Sequence, residues 1–400
     1  GMLMMCTSRI LCLILVYLAV SAPAHLSAQA PTIDPADDMK YLPPPDVSPL
    51  FLTPHQHVSY LRNADKVRPN RKVAVAATSL PLPENKQKLG DTAIRFNDKT
   101  ITVNDYLNTQ SVAGLLVVKD GEVVYEHYGL GNTKESRWVS YSVTKSVVSM
   151  LIGAAIQDGY IKDVDEKVTA YLPRLKNSSY DQSSIRNLLQ MASGVSWNED
   201  YADPDSDIAQ APFQTLAITE YLRDLPRKHA PGDVFNYNTA ETNLAGTLLR
   251  SAIGNNLATY LAEKIWIPFG METEAFWLLT EPGGGEFGGC CINATLRDYA
   301  RIGLFAMSGG VLADGTKVLP DNWMAESTTP SKGFDGYGYV WWLSKLGFYS
   351  ASGIFGQGIY IHENEGIVMA LQSARPEADN TDDFALEEAM FAAIVARLAD

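Results

Sequence analysis

The sequence predicts an α+β fold in which an antiparallel sheet, flanked by helices, is interrupted by a large all-helical insertion. Three observations carry this expectation. Two β-branched runs surround Lys119-Asp120-Gly121-Glu122 as a hairpin, three strand-like runs crowd the stretch from 336 to 373, and the residues between read mostly with helical spacing. Early strands, a helical middle and late strands imply a sheet assembled from both ends of the chain.

Taken in order, Arg9 is followed by the apolar run ILCLILVYLAV and by Ala28-Gln29-Ala30. A basic start, a short apolar stretch and an A-x-A site predict a signal peptide over 1–30, cleaved after Ala30, and hence a periplasmic or secreted protein with no stable membrane anchor. Residues 31–110, rich in Pro around 43–45 and 81–83, read as an extended or partly disordered N-terminal arm. A sheet domain is expected from 111–160 and 294–400, and a mainly helical domain from 161–293. In the sheet domain the hairpin is VAGLLVVKDGEVVYEHYG, 112–129, and its Asp-Gly turn is a strong local signal. It is followed by WVSYSVTKSVVSMLIGAAIQDGY, residues 138–160, a helix apolar on nearly every side and therefore buried. Helical spacing recurs at 183–193, 216–225, 241–254, 257–270 and 297–310. Strands are expected at 336–344, 356–363 and 366–373, and an amphipathic helix at 383–399 covers one face of the sheet.

Composition narrows the function. The net charge is −14, and removing residues 1–30 takes away Arg9 as their only Lys, Arg, Asp or Glu, giving −15. Such an acidic chain is a poor partner for nucleic acid. The six histidines do not cluster, His55 and His57 being the one close pair, and no Cys-x-x-Cys occurs, so neither a metal nor a cofactor is expected. Cys290 and Cys291 are adjacent; a bond between neighbours closes a strained ring, so free thiols are the expectation. The acidic loop NEDYADPDSD, 198–207, reads as a solvated surface loop, or as a lid carrying Tyr201.

Ser142 and Lys145 stand three apart at the mouth of the buried helix, so hydroxyl and amine share one face. A lysine drawn into a core is disfavoured in its charged form, which is how an amine becomes a base near neutrality. About a hundred residues on, Tyr237 precedes the helix that begins near Thr239; held beside a cation, its pKa is expected to be depressed so that it can carry a proton. No Gly-x-Ser-x-Gly occurs, which argues against an α/β-hydrolase triad.

Ser142-Val143-Thr144-Lys145, Tyr237-Asn238-Thr239 and Ala351-Ser352-Gly353 together resemble the penicillin-recognising serine hydrolases, a group with class C β-lactamases, D-Ala-D-Ala carboxypeptidases, family VIII esterases and 6-aminohexanoate-dimer hydrolases. The resemblance runs from about 111 to 398 and is strongest to the last of these, through SVTKS, FNYNTAETNLAG, TLRDYARIG and SGIFGQGIYI. It implies a β-lactamase/transpeptidase-like fold. By the same resemblance Ser142 is the acylated nucleophile, Lys145 its base and Tyr237 the general acid and base; the backbone amides of Ser142 and Ile354 hold the oxyanion; and Tyr201, Asn238, Ser352 and Gly353 contact substrate. Two positions depart from the pattern. Thr239 stands where the β-lactamases have Asn, and Ala351 where they and the carboxypeptidases have the Lys or His that anchors a substrate carboxylate. The expectation is an exported serine hydrolase acting on a small amide or ester through an acyl-enzyme. The alternatives are a β-lactamase or D-Ala-D-Ala carboxypeptidase, or a non-catalytic cell-wall or peptide-binding relative.

Overall fold

The computed structural model describes Ala30 and residues 32–399, so the expected signal peptide lies almost wholly outside the described residues. The arm is more ordered than its proline content suggests. Thr53 opens α1 (Pro54–Val67) with a capping box closed by Gln56, and Pro54 takes the first helical position. Strand β1 (Asn70–Val73) follows, and Ala93–Phe96 pairs with Lys99–Thr102 as a small hairpin.

The predicted hairpin is β2 (Val112–Lys119) and β3 (Glu122–Tyr128). A three-residue strand, β4 (Arg137–Val139), leads directly into α2 (Val143–Gln157), in which every side chain from Val143 to Ala155 is buried. The middle of the chain holds α3 (Ile185–Leu189), α4 (Thr215–Arg223), α5 (Thr239–Ile253) and α6 (Leu257–Leu261). It is not purely helical, because β5 (Ala275–Leu278) and β6 (Ile292–Thr295) close it. The remainder includes α7 (Leu296–Met307), β7 (Trp342–Leu343), β8 (Tyr349–Gly353), β9 (Gln357–His362), β10 (Ile367–Ser373) and α8 (Thr381–Leu398).

The main sheet is antiparallel with order β3-β2-β10-β9-β8-β7. Successive side chains of β2 point to opposite faces. Leu116 and Val118 join α2 and α7 in the larger core, while Leu115 and Val117 meet Leu386, Met390, Phe391 and Ile394 of α8. Gly303 lets α7 lie against the sheet, for a Cβ there would sit 2.6 Å from Val368 Cγ1. A second sheet, β1-β5-β6-β4, ties the arm to the strand that leads into α2.

The expected strand at 336–344 survives only as β7. Val340 takes a left-handed φ of 61° and its amide donates to Leu189 O, so the backbone loops away and sends Tyr337, Tyr339 and Trp341 into the core. Cys290 and Cys291, expected as free thiols, lie with their sulfur atoms turned towards one another, Cys291 taking a φ of 101°.

Candidate active site

Ser142 occupies the N-cap of α2, yet its hydroxyl makes no capping bond. It accepts instead from Lys145 Nζ at 2.8 Å, one turn along the same face. Lys145 Nζ also donates to Gly289 O, at 2.6 Å. Thr144 locks this first turn in place: its Oγ1 lies 2.6 Å from Ser140 Oγ and accepts from the amides of Cys291 and Ile292 at 3.1 and 3.0 Å. Lys145 is only 1 % exposed. Burial pulls its pKa down to about 7, with the charge of Glu199 acting weakly the other way.

Tyr237 arrives at the end of the loop before α5. Asn238 caps that helix, its side-chain oxygen accepting from Glu241 N at 3.0 Å, and this fixes where Tyr237 leaves the loop. The Tyr237 ring lies 5.1 Å below Lys145 Nζ and stacks on Trp342 at 5.9 Å. Its hydroxyl is near enough to Ser142 for the serine to influence its ionisation. The expected depression of the phenol does not occur. Burial, reinforced by Glu199, raises its pKa well above the ordinary value, and the neighbouring Ser142 hydroxyl offsets only part of this. Lysine and tyrosine are thus pushed in opposite directions, one towards the free amine and the other towards the intact phenol.

Strand β8 forms the facing wall. Gly353 approaches the start of α2 so closely that a Cβ there would lie 2.6 Å from Ser140 O and 3.0 Å from Ser142 N, so glycine is required. Ile354 follows immediately, and among the described residues neither its amide nor that of Ser142 is taken by a backbone carbonyl. Two free amides beside a helix N-terminus are suited to a developing oxyanion. Ser352 Oγ is buried with no partner among the described residues, as is Asn238 Nδ2. Ala351 is buried in the core, so this position supplies no cation.

The acidic loop is where sequence reasoning missed most. Glu199, within that loop, is 9 % exposed and accepts four hydrogen bonds: from Trp197 Nε1 and Tyr201 OH at 2.6 Å each, and from the Thr239 amide and hydroxyl at 2.8 and 2.5 Å. Thr239, the departure from the family pattern, is therefore the residue that receives this carboxylate. Tyr201 reaches the site through Glu199, and its phenol is raised well above normal by burial, by Glu199 and by Tyr237. The alternation Trp197-x-Glu199-x-Tyr201 was the available signal, since two aromatics flanking one acid mark a segment that turns inward.

A family model described as Beta-lactamase matches residues 102–391. The 6-aminohexanoate-dimer hydrolase of Paenarthrobacter ureafaciens is 28 % identical over 66 % of this chain and 73 % of its own length. A D-aminopeptidase of Brucella anthropi is 28 % identical over 39 % of this chain and 31 % of its own. Among solved structures, a Bacillus anthracis protein described as a candidate 6-aminohexanoate-dimer hydrolase superposes with a TM-score of 0.77 at 23 % identity, covering 86 % of this chain and 94 % of that one. A family VIII carboxylesterase gives 0.57 at 17 % identity, covering 73 % and 95 %. These likenesses establish the β-lactamase/transpeptidase-like fold, and with a family match that spans most of its length the chain belongs to the Beta-lactamase family, as a serine hydrolase.

Proposed function

We propose that the protein cleaves a small amide or ester through a covalent acyl-enzyme formed on Ser142. One observation carries this reading: a buried Lys145, with its pKa near neutrality, sits 2.8 Å from the Ser142 hydroxyl. In the first half-reaction the free amine of Lys145 takes the Ser142 proton as Oγ attacks the carbonyl carbon. The carbonyl oxygen gains the negative charge between the amides of Ser142 and Ile354. As the carbon–nitrogen or carbon–oxygen bond breaks, the phenol of Tyr237 gives its proton to the leaving group and recovers one from the lysine ammonium. Water then attacks the ester, losing its proton through the same pair, and Ser142 departs with a proton restored.

The substrate reading follows the charges. With Ala351 in place of a cation, nothing at that position holds a free carboxylate, which disfavours β-lactams and D-Ala-D-Ala peptides. Asp379 carries a carboxyl raised to about 6 by burial and by the neighbouring charges of Asp200 and Glu199. Negative charge collected there favours a substrate with an amine end, as in amide oligomers with a free amino group. The matches to a 6-aminohexanoate-dimer hydrolase and a D-aminopeptidase support the same class.

An active-site serine probe tests the chemistry. Labelling of the wild type and none of Ser142→Ala is expected; an unlabelled wild type would favour the non-catalytic, peptide-binding alternative. A panel of p-nitrophenyl esters, a chromogenic cephalosporin, 6-aminohexanoate dimer and D-Ala-D-Ala peptides tests the class. Equal turnover of linear amides with and without a free amine removes the amine preference.

A further inference from the structure

Residues 32–67 precede the region matched by the family model, yet Ile33, Val58, Leu61 and Ala64 share a core with Tyr141, Ile354 and Phe355, the residues at the two amides assigned to the oxyanion. Helix α1 is fastened at two points. Arg62 forks onto Asp38 at 2.7 and 2.8 Å and also donates to Leu130 O and Asn132 Oδ1, while Asp65 accepts from Arg137 of β4 at 2.7 Å. His57 lies on α1, 5 % exposed, its ring meeting that of Phe355 edge-on at 4.3 Å. Phe355 in turn contacts the Tyr141 ring at 5.6 Å.

Those two rings belong to the residues adjoining the two amides. Tyr141 precedes Ser142 with a φ of 46°, and Phe355 follows Ile354 with a φ of 62°. A bulky side chain in the left-handed region costs about 1 kcal/mol or more and persists only where its surroundings hold it. Phe355 is tied through its backbone to Ala378 O and Arg375 N, but its side chain is held by His57 and Tyr141.

We propose that α1 is a positioning element of the oxyanion site, acting through His57: its ring clamps Phe355 against Tyr141 and thereby fixes the directions of the Ile354 and Ser142 amides. The proposal rests on the acyl-enzyme reading above. His57 works as a packed ring rather than as a charge. Burial lowers its pKa to about 4, so it is neutral at working pH, and its Nε2 has no partner among the described residues.

The test uses the purified full chain and a p-nitrophenyl ester. Truncating the ring in His57→Ala is expected to lower kcat about 10- to 100-fold with KM within about threefold, because a misaimed oxyanion donor is felt in the transition state. His57→Phe, which restores a ring, is expected within about threefold of wild type in kcat. A folded His57→Ala with wild-type kcat, a loss confined to KM, or a His57→Phe as impaired as His57→Ala would each overturn the proposal. Should His57→Ala fail to fold, Phe355→Leu is the second probe: the same selective loss of kcat is expected, and wild-type kcat overturns it. Ser142→Ala run alongside separates the two levels, since full ester turnover by that variant would remove the acyl-enzyme reading itself.

Discussion

Two sets of buried ionisable groups lie on opposite faces of the main sheet, and they are built on opposite rules. On the α8 side Arg375 and Glu387 are each at most 1 % exposed, and they meet at 2.9 Å with Tyr360 donating to the same carboxylate. On the α2 side Lys145 is just as buried but is given a hydroxyl and a carbonyl, while the nearby carboxylate, Glu199, is occupied by Trp197, Tyr201 and Thr239. A matched charge holds a fold together; an unmatched one stays poised to exchange a proton. The first arrangement fastens α8 to the sheet; the second is the one that the proposed mechanism needs to activate a serine.

The sharpest way to break this contrast is to remove one group from each set. Lys145→Met is expected to lower kcat/KM at least about 1,000-fold, the base being lost. Its stability moves the other way. The folded pKa is about 7 against an ordinary 10.5, so between those values the unfolded chain binds the extra proton and stability rises with pH; at pH 7 and below the native state carries a cost that methionine removes. A melting temperature at pH 6.5 equal to or above wild type is expected, and a clear fall would show that Lys145 is structural. Glu387→Ala should do the reverse. It strands a buried Arg375 and is expected to cost roughly 3–5 kcal/mol in denaturant unfolding, with kcat per folded molecule within about twofold of wild type.

A smaller effect sharpens the role of Glu199. With Lys145 as base, kcat/KM should fall about tenfold per pH unit below about 7 as the amine is protonated. Glu199 is the charge that holds this pKa up. Glu199→Gln should therefore move the acid limb to lower pH, by less than about one unit. Paired pH–rate profiles decide it, and a limb that stays in place or moves upward removes Glu199 from the site's electrostatics.

What was legible in the sequence follows from how local each signal is. The hairpin at 112–128, the strands at 357–373 and the closing helix declare themselves because alternation and helical periodicity are read within ten or twenty residues. Ser142 and Lys145 are equally local, being one helical turn apart. Helix α1 was not legible, since His57, Ser59, Arg62, Asn63 and Asp65 are buried on partners such as Asp38 and Arg137 that only the folded chain brings near. Glu199 failed for the same reason: its donors at Thr239 lie 40 residues away. The pKa of Tyr237 was misjudged because a nearby cation was visible in the pattern, while the burial that outweighs it was not.

The pairing of β2 with β10, in which Leu115 faces Leu371, has a consequence for the order of assembly. A chain emerging from the ribosome completes its first hairpin early, but the inner edge of β2 finds no neighbour until some 250 residues later. Through that interval it presents an apolar strand with unsatisfied amides, the kind of edge to which another chain can add. The sheet closes, and the amides of Ser142 and Ile354 come together, only once β8 to β10 have been made. Until then Ser142 and Lys145, one helical turn apart, stand without the strand that faces them.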